Sequence, residues 1–281
     1  MCEFCLKHGE GKKWYLSARN YSEDLLSDVR RREMIREFFA DPGAIAEQVR
    51  SLTALEQAPG FVKRAVAWRA SSKAKKVHYG QVVPIEEIER ILELVNSVVR
   101  VACICRHITT GKEKRFCFGV SMGPNGGGLA EILRGLDGSF LTGPGSVGLE
   151  TVGKDEALAL MKDLDREGLC HTVWTFRTPF IGGICNCDRA DCLAMQATVT
   201  HEIPVMFRAE YVAEVDADAC GGCRDCQRVC PFGALSWSMA DEKVSVDQRH
   251  CWGCGVCRSA CPTDAIHLLD RAQVPVAARV W

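Results

Sequence analysis

Two groups of four cysteines near the carboxyl end of this chain repeat the same spacing. Cys220, Cys223, Cys226 and Cys230 precede Pro231, and Cys251, Cys254, Cys257 and Cys261 precede Pro262. Both read C-x2-C-x2-C-x3-C-P, and the second copy starts 31 residues after the first. Three thiols at such intervals can wrap one corner of a metal–sulfide core while the intervening backbone N–H groups turn towards its sulfides. The proline then directs the chain elsewhere. Tetrahedral zinc prefers two pairs separated by a longer loop and would waste ligands here. The chain has 17 cysteines in 281 residues, an odd number, and it opens Met1-Cys2-Glu3-Phe4-Cys5 without a basic-then-apolar leader. A secreted disulfide scaffold would be shorter and would carry such a leader. The pattern points to a reducing cytoplasm with thiolates as metal ligands.

The twin runs resemble the bacterial two-cluster [4Fe–4S] ferredoxins, over roughly residues 206–270. In that family the fourth cysteine of each run serves the other cluster. The resemblance therefore implies two [4Fe–4S] clusters with crossed ligands. One set is Cys220, Cys223, Cys226 and Cys261; the other is Cys251, Cys254, Cys257 and Cys230. Between the runs, 235–239 and 244–246 flank a polar turn at Asp241 and Glu242, which predicts a short hairpin. Glycines 221, 222, 253 and 255 allow close backbone approach. Phe232, Trp237 and Trp252 either shield a cluster from water or simply pack the core.

Nine cysteines lie upstream. Cys103, Cys105 and Cys117 form one region, Cys185, Cys187 and Cys192 another; Cys2 and Cys5 open the chain and Cys170 stands alone. A Cys-x-Cys pair presents both thiols to one side when the backbone is extended. The segments Cys103-Ile104-Cys105-Arg106, Glu167-Gly168-Leu169-Cys170-His171 and Cys185-Asn186-Cys187 resemble a group of larger ferredoxin-type proteins that carry these elements before a two-cluster module. Where that group has further cysteines after Cys-Asn-Cys, this chain has Asp188 and Asp191 before Cys192. The resemblance implies a third metal centre, an iron–sulfur cluster or another metal. Its first candidates are Cys103, Cys105, Cys185, Cys187 and Cys192, then Cys117, with His107 or His171 as ligands or tuning groups. Zinc and ordinary buried thiols are the competing readings. Cys2, Cys5 and His8 could close over that centre or belong to a flexible terminus.

The rest of the chain predicts an α+β fold. Helices are expected over 22–40, 44–57, around 61–69, from Pro84 to about 96, and over 154–166 with Gly168 as C-cap. Strands are expected over 98–105, 116–120 and 171–176. No βαβ repeat appears, so a doubly wound sheet is disfavoured. Pro204 divides a cysteine-containing α+β domain, 1–203, from a dicluster ferredoxin-like domain, 204–281.

A net charge of −1 gives no bulk electrostatic case for nucleic acid, and the basic clusters at Arg30–Arg32 and Lys73–Lys76 read as solvated faces. No apolar run is long enough to span a membrane. The glycines at 126–128 read as a turn-rich loop rather than a nucleotide site. Between Asp218 and Arg271 seven acidic residues face six basic ones. Such balance suits a module wired to its own upstream domain, or to a fixed redox partner or subunit, better than a diffusing shuttle. The leading reading is an electron-transfer protein or redox subunit. The alternatives are a reductase with a catalytic upstream centre and a structural or sensing iron–sulfur protein. The oligomeric state is left open.

Overall fold

The computed structural model describes residues 13–53, 58–111, 115–136 and 149–280, with side chains left out for 48–53. Cys2, Cys5 and His8 lie outside the described residues. The α+β expectation holds. One seven-stranded sheet has the order β4-β2-β3-β6-β5-β1-β7. Its strands are β1 (Gly80–Val82), β2 (Ser97–Val101), β3 (Cys117–Ser121), β4 (Glu150–Val152), β5 (Cys170–Thr175), β6 (Ile181–Cys187) and β7 (Met206–Phe207). Every pairing is antiparallel except β1 with β7.

Side chains alternate between the faces of a strand, and here both faces are covered. Val98 of β2 and Val120 of β3 join a core with Ile88, Ile91 and Leu92 of α4 (Ile85–Leu94) and Met161 and Leu164 of α7 (Lys154–Arg166). Val99 and Val101 point the other way. They meet Ile35 of α1 (Val29–Ala40) and Leu129, Ile132 and Leu133 of α6 (Gly127–Arg134). Each such fully buried aliphatic side chain contributes roughly 1.5–3 kcal/mol. The stripe predicted from Pro84 onward is therefore a true inward face. Two further helices, α2 (Pro42–Thr53) and α3 (Gly60–Val77), follow α1. The C-cap at Gly168 is also as expected: its φ is +93°, and Leu169 N–H donates to Leu164 O at 3.0 Å.

Four expectations need correction. The helix expected over 22–40 is broken. Ser22 Oγ caps a single turn, Glu23–Leu26, and Asp28 Oδ1 accepts from Arg31 N–H at 3.0 Å to start α1 afresh. Two capping side chains six residues apart each claim their own N-terminus. Secondly, Arg31 is not on a solvated face. It is buried, and its guanidinium donates to the carbonyls of Leu25, Phe176 and Arg177. Thirdly, the strand expected over 98–105 stops at Val101, where the ladder to Cys117 ends; Cys103 then caps α5 (Ile104–Thr110). Finally, the glycine run does open a helix, α6. The Glu23 carboxylate sits at its N-terminus and accepts from Gly128 N–H at 3.0 Å. Gly126 and Gly127 have φ of +86° and +53°, and a Cβ on Gly127 would collide with Glu23 and Ser121.

The C-terminal module pairs β8 (Tyr211–Val215) with β11 (Ile266–Asp270), and β9 (Leu235–Ser238) with β10 (Lys243–Val246). The latter is the predicted hairpin. Short helices α8 (Asp225–Val229) and α9 (Val256–Ser259) occupy equivalent places in the two copies. Val274 and Ala277 of the tail pack back into the module's core. The module is tied to the large sheet's helical layer. Arg258 of α9 pairs with Glu86 of α4, Ser259 donates to Asp165 of α7, and Lys13 and Tyr211 meet at buried Glu87. No helix among the described residues is long and apolar enough to cross a membrane.

Candidate metal centres

Two cavities in the C-terminal module are lined by cysteine. One gathers Cys251, Cys254 and Cys257 of the second run with Cys230 of the first. The other gathers Cys220, Cys223 and Cys226 with Cys261. Each run supplies three thiols from a loop that winds into a short helix. The fourth stands at or just beyond that helix's end: Cys230 is the C-cap of α8, and Cys261 follows the C-cap of α9. The chain has by then travelled to the neighbouring cavity.

The loops depend on left-handed backbone. Gly222, Arg224, Gly253 and Gly255 have φ between +68° and +84°. Gly253 also passes so close to the Tyr211 carbonyl that a Cβ there would overlap it. Backbone N–H groups turn onto sulfur in a matched way: Ala234 donates to Cys230 Sγ at 3.4 Å and Ala265 to Cys261 Sγ at 3.3 Å. Ala213 donates to Cys251 Sγ at 3.3 Å. Burial alone would raise the Cys261 thiol, but hydrogen bonds from Thr263 and Ala265 outweigh it and hold it below the ordinary range. Burial, with Cys254 and Cys251 close by, pushes the Cys257 thiol well up. Four thiolates crowded around one cavity repel one another unless a cationic core compensates them. The donor set and the inward N–H groups thus fit an iron–sulfur core.

Residues 219–265 match the family model for the 4Fe-4S dicluster domain. This part of the chain is a 4Fe–4S ferredoxin-type module. It supports an iron–sulfur electron-transfer role. No curated protein matches the chain.

The module's two cavities differ in access. Cys223 is exposed in the first, whereas Cys251, Cys254 and Cys257 are all buried in the second. Phe232 and Trp252 line the second cavity and stack at 4.6 Å with 5° between their planes. Trp237 instead carries the Arg224 guanidinium over its ring at 4.1 Å.

The upstream cysteines converge as well. Cys103 caps α5, and Cys105 lies in its first turn. Cys117 opens β3, opposite Cys185 of β6. Cys187 ends β6, and Cys192 caps the turn Leu193–Met195. Their thiols are neighbours in the succession Cys185, Cys117, Cys103, Cys105, Cys192, Cys187. The extended pair expected of Cys-x-Cys exists at 185 and 187, with Asn186 on the opposite face. It does not exist at 103 and 105, where a strand-to-helix junction brings the thiols together instead. Cys117, ranked behind the others from sequence, is a direct neighbour of Cys103. Among the described residues no three His, Cys, Asp or Glu side chains converge on a single-ion geometry. Thiols spread in succession fit a polynuclear core, in which different thiolates bind different metals.

Arg106 is buried against this site. Its Nη1 lies 3.6 Å from Cys103 Sγ and 3.1 Å from Asn186 O, and its guanidinium covers the Phe116 ring at 4.4 Å. Asp188 and Asp191, which depart from the resembled group, pair with it. The neighbouring Cys105 and Cys117 thiols, and then Arg106, hold the Cys103 thiol well below its ordinary range. Of the two histidines, His171 has Nδ1 2.5 Å from Asn186 Oδ1, while Nε2 lies 3.3 Å from Asp165 Oδ1 without a hydrogen bond between them. It holds the Cys-Asn-Cys strand in place through Asn186. His107 is half-buried on α5. Cys170, isolated in sequence, lies opposite Cys187 in the β5–β6 register. Only the strand register reveals this.

Proposed function

We propose that this chain is an electron-transfer protein holding two [4Fe–4S] clusters in its C-terminal module and a third metal centre upstream. The observation that carries the reading is the crossed grouping of eight cysteines around two cavities. Cys251, Cys254, Cys257 and Cys230 would hold one cluster, and Cys220, Cys223, Cys226 and Cys261 the other. Bound there, such clusters supply reversible one-electron redox chemistry at iron.

The protein's part is ligation, charge and access. Ala213, Ala234 and Ala265 direct N–H dipoles onto ligand sulfur, which favours added negative charge. Phe232 and Trp252 limit water at the second cavity. Exposed Cys223 makes the first cavity the face towards a redox partner protein or subunit, and the second faces inward. Cys103, Cys105, Cys117, Cys185, Cys187 and Cys192 would hold the upstream centre, with Arg106 offsetting thiolate charge there.

Metal analysis of anaerobically prepared full-length protein tests the reading. Two clusters alone account for about eight iron and eight sulfide per chain, and a third iron–sulfur centre adds to both. Reversible EPR signals on reduction are expected. Zinc alone, or disulfides among the eight C-terminal cysteines, would end the electron-transfer proposal.

A further inference from the structure

The first cysteine of each run meets a cation through its backbone, and the two runs differ in what they meet. In the first run the Cys220 carbonyl accepts from Lys243 Nζ at 2.6 Å, and that lysine is half-buried on β10. In the second run the Cys251 carbonyl accepts from two guanidinium groups, Arg271 Nη2 at 2.8 Å and Arg208 Nη1 at 3.1 Å. Arg271 is 0 % exposed. Its side chain also donates to the carbonyls of Ala209 and Tyr211, both at 2.8 Å. Its Nη1 has no hydrogen-bond partner among the described residues. Arg208 also holds its charge over the ring of Trp252 at 5.0 Å, and Trp252 lines the second cavity. Buried Glu210 sets an opposing charge near Arg271, and exposed Asp247 one near Arg208. Of these four charges, only the two guanidinium groups bond to the Cys251 carbonyl.

We propose that Arg271, assisted by Arg208, is a positioning residue that raises the potential of the centre held by the second run, by fixing positive charge on the Cys251 backbone. The proposal rests on the two-cluster reading above. Reduction adds one electron, and so one negative charge, to a centre. A site with little water opposes that charge, and the second cavity is such a site, with Cys251, Cys254 and Cys257 all buried. A cation fixed beside it stabilises the reduced state more than the oxidised one. A guanidinium keeps its charge at neutral pH even when buried. Arg271 is out of reach of solvent ions, so its effect is little screened, whereas salt weakens that of half-buried Lys243. The arginines thus offset the burial of the inward-facing centre, and an electron arriving at the outward-facing one is drawn inward.

EPR-monitored titration of the anaerobic full-length protein with dithionite separates the outcomes. Arg271→Gln removes the charge but can still donate to a carbonyl. It is expected to keep wild-type iron and sulfide, to lower one of the two midpoint potentials and to leave the other in place. Lys243→Gln is expected to lower that other midpoint, by less, and by less again at high salt. Arg271→Lys keeps the charge without the planar fork and is expected to lie closer to wild type than Arg271→Gln. Unchanged midpoints in Arg271→Gln would overturn the proposal. So would equal shifts of both midpoints, which indicate a general structural effect, or a single midpoint moved by Arg271→Gln and Lys243→Gln alike. An Arg271→Lys protein that falls as far as Arg271→Gln would overturn it too, since shape rather than charge would then decide. Where Arg271→Gln loses its iron and sulfide, Arg208→Gln at the half-buried position decides. It is expected to lower the midpoint that Lys243→Gln leaves in place, and no shift there would overturn the proposal equally. Failure of the two-cluster reading itself is seen separately, as wild-type protein without iron and sulfide.

Discussion

The Arg106 guanidinium lies 3.6 Å from the Cys103 thiol, 1 % exposed and flanked by Asp188 and Asp191. It is a fixed positive charge against a group of six thiols, and the two aspartates keep it neutralised on its far side. Arg106→Gln removes that charge and strands Asp188, whose side chain is partly exposed. Breaking a fully buried pair costs about 3–5 kcal/mol, and partial exposure reduces that to about 2 kcal/mol here. The variant is expected to bind less metal upstream while the C-terminal module keeps its iron and sulfide. Metal analysis of the whole chain, with the module's EPR signals as internal reference, checks both halves. Full upstream metal in Arg106→Gln would show that the arginine serves only the fold.

Cysteine replacements should divide by cavity rather than by run. Cys230→Ala removes a first-run cysteine but should deplete the centre otherwise held by Cys251, Cys254 and Cys257. Cys261→Ala should do the converse. Cys117→Ser should spare both and lower metal only upstream, because its neighbours are Cys103 and Cys185. Mössbauer spectra of the three variants distinguish these losses. A first-run loss in Cys230→Ala would refute crossing.

Two glycines with nearly the same backbone angle should behave differently. Gly253 has φ +71° and faces the Tyr211 carbonyl, with no room for a Cβ; Gly233 has φ +67° with open space around it. Gly233→Ala pays only for the left-handed conformation, about 1 kcal/mol. Gly253→Ala must in addition push β8 away from the loop that carries Cys251 and Cys254. It is expected to lose iron and sulfide from the second cavity, whereas Gly233→Ala retains them. Similar iron contents in the two variants would mean that the loop adapts.

The C-terminal module was legible because its information is local. Eight thiols at set intervals, four glycines and a polar hairpin turn all lie within about fifty residues of chain, and each cavity draws three thiols from one run and a fourth from the other. The upstream site was only half legible. Cys185 and Cys187 share a face because a strand alternates, which sequence shows. Cys117 beside Cys185, and Cys170 beside Cys187, follow from antiparallel registers between strands distant in sequence. Periodicity says that a residue faces inward but not which residue it faces. The broken helix at Ser27 and Asp28 shows the converse: its capping signals were present, but the apolar stripe running through them concealed the break.

Acid should weaken the upstream half of the protein through His78. Its ring lies 4.6 Å from Phe38, 4.8 Å from Trp174 and 4.9 Å from Phe176, and Nδ1 is 2.6 Å from Thr175 O. Burial lowers it to about 4 from 6.5, despite the opposing hydrogen bond to Thr175. Above pH 6.5 the ring is neutral in both the folded and unfolded chains, and no penalty arises. As pH falls below 6.5 the unfolded chain takes up a proton that the folded one refuses, so stability drops until the folded ring titrates near pH 4. Between pH 7 and 5 this amounts to about 2 kcal/mol, or ~5 °C in melting temperature for a chain of this size. His78→Asn preserves a donor towards Thr175 O but cannot titrate. Its melting temperature should fall less than that of wild type over the same interval, which separates His78 from any acid sensitivity of the thiol sites. Parallel losses in wild type and variant would remove His78 as the cause.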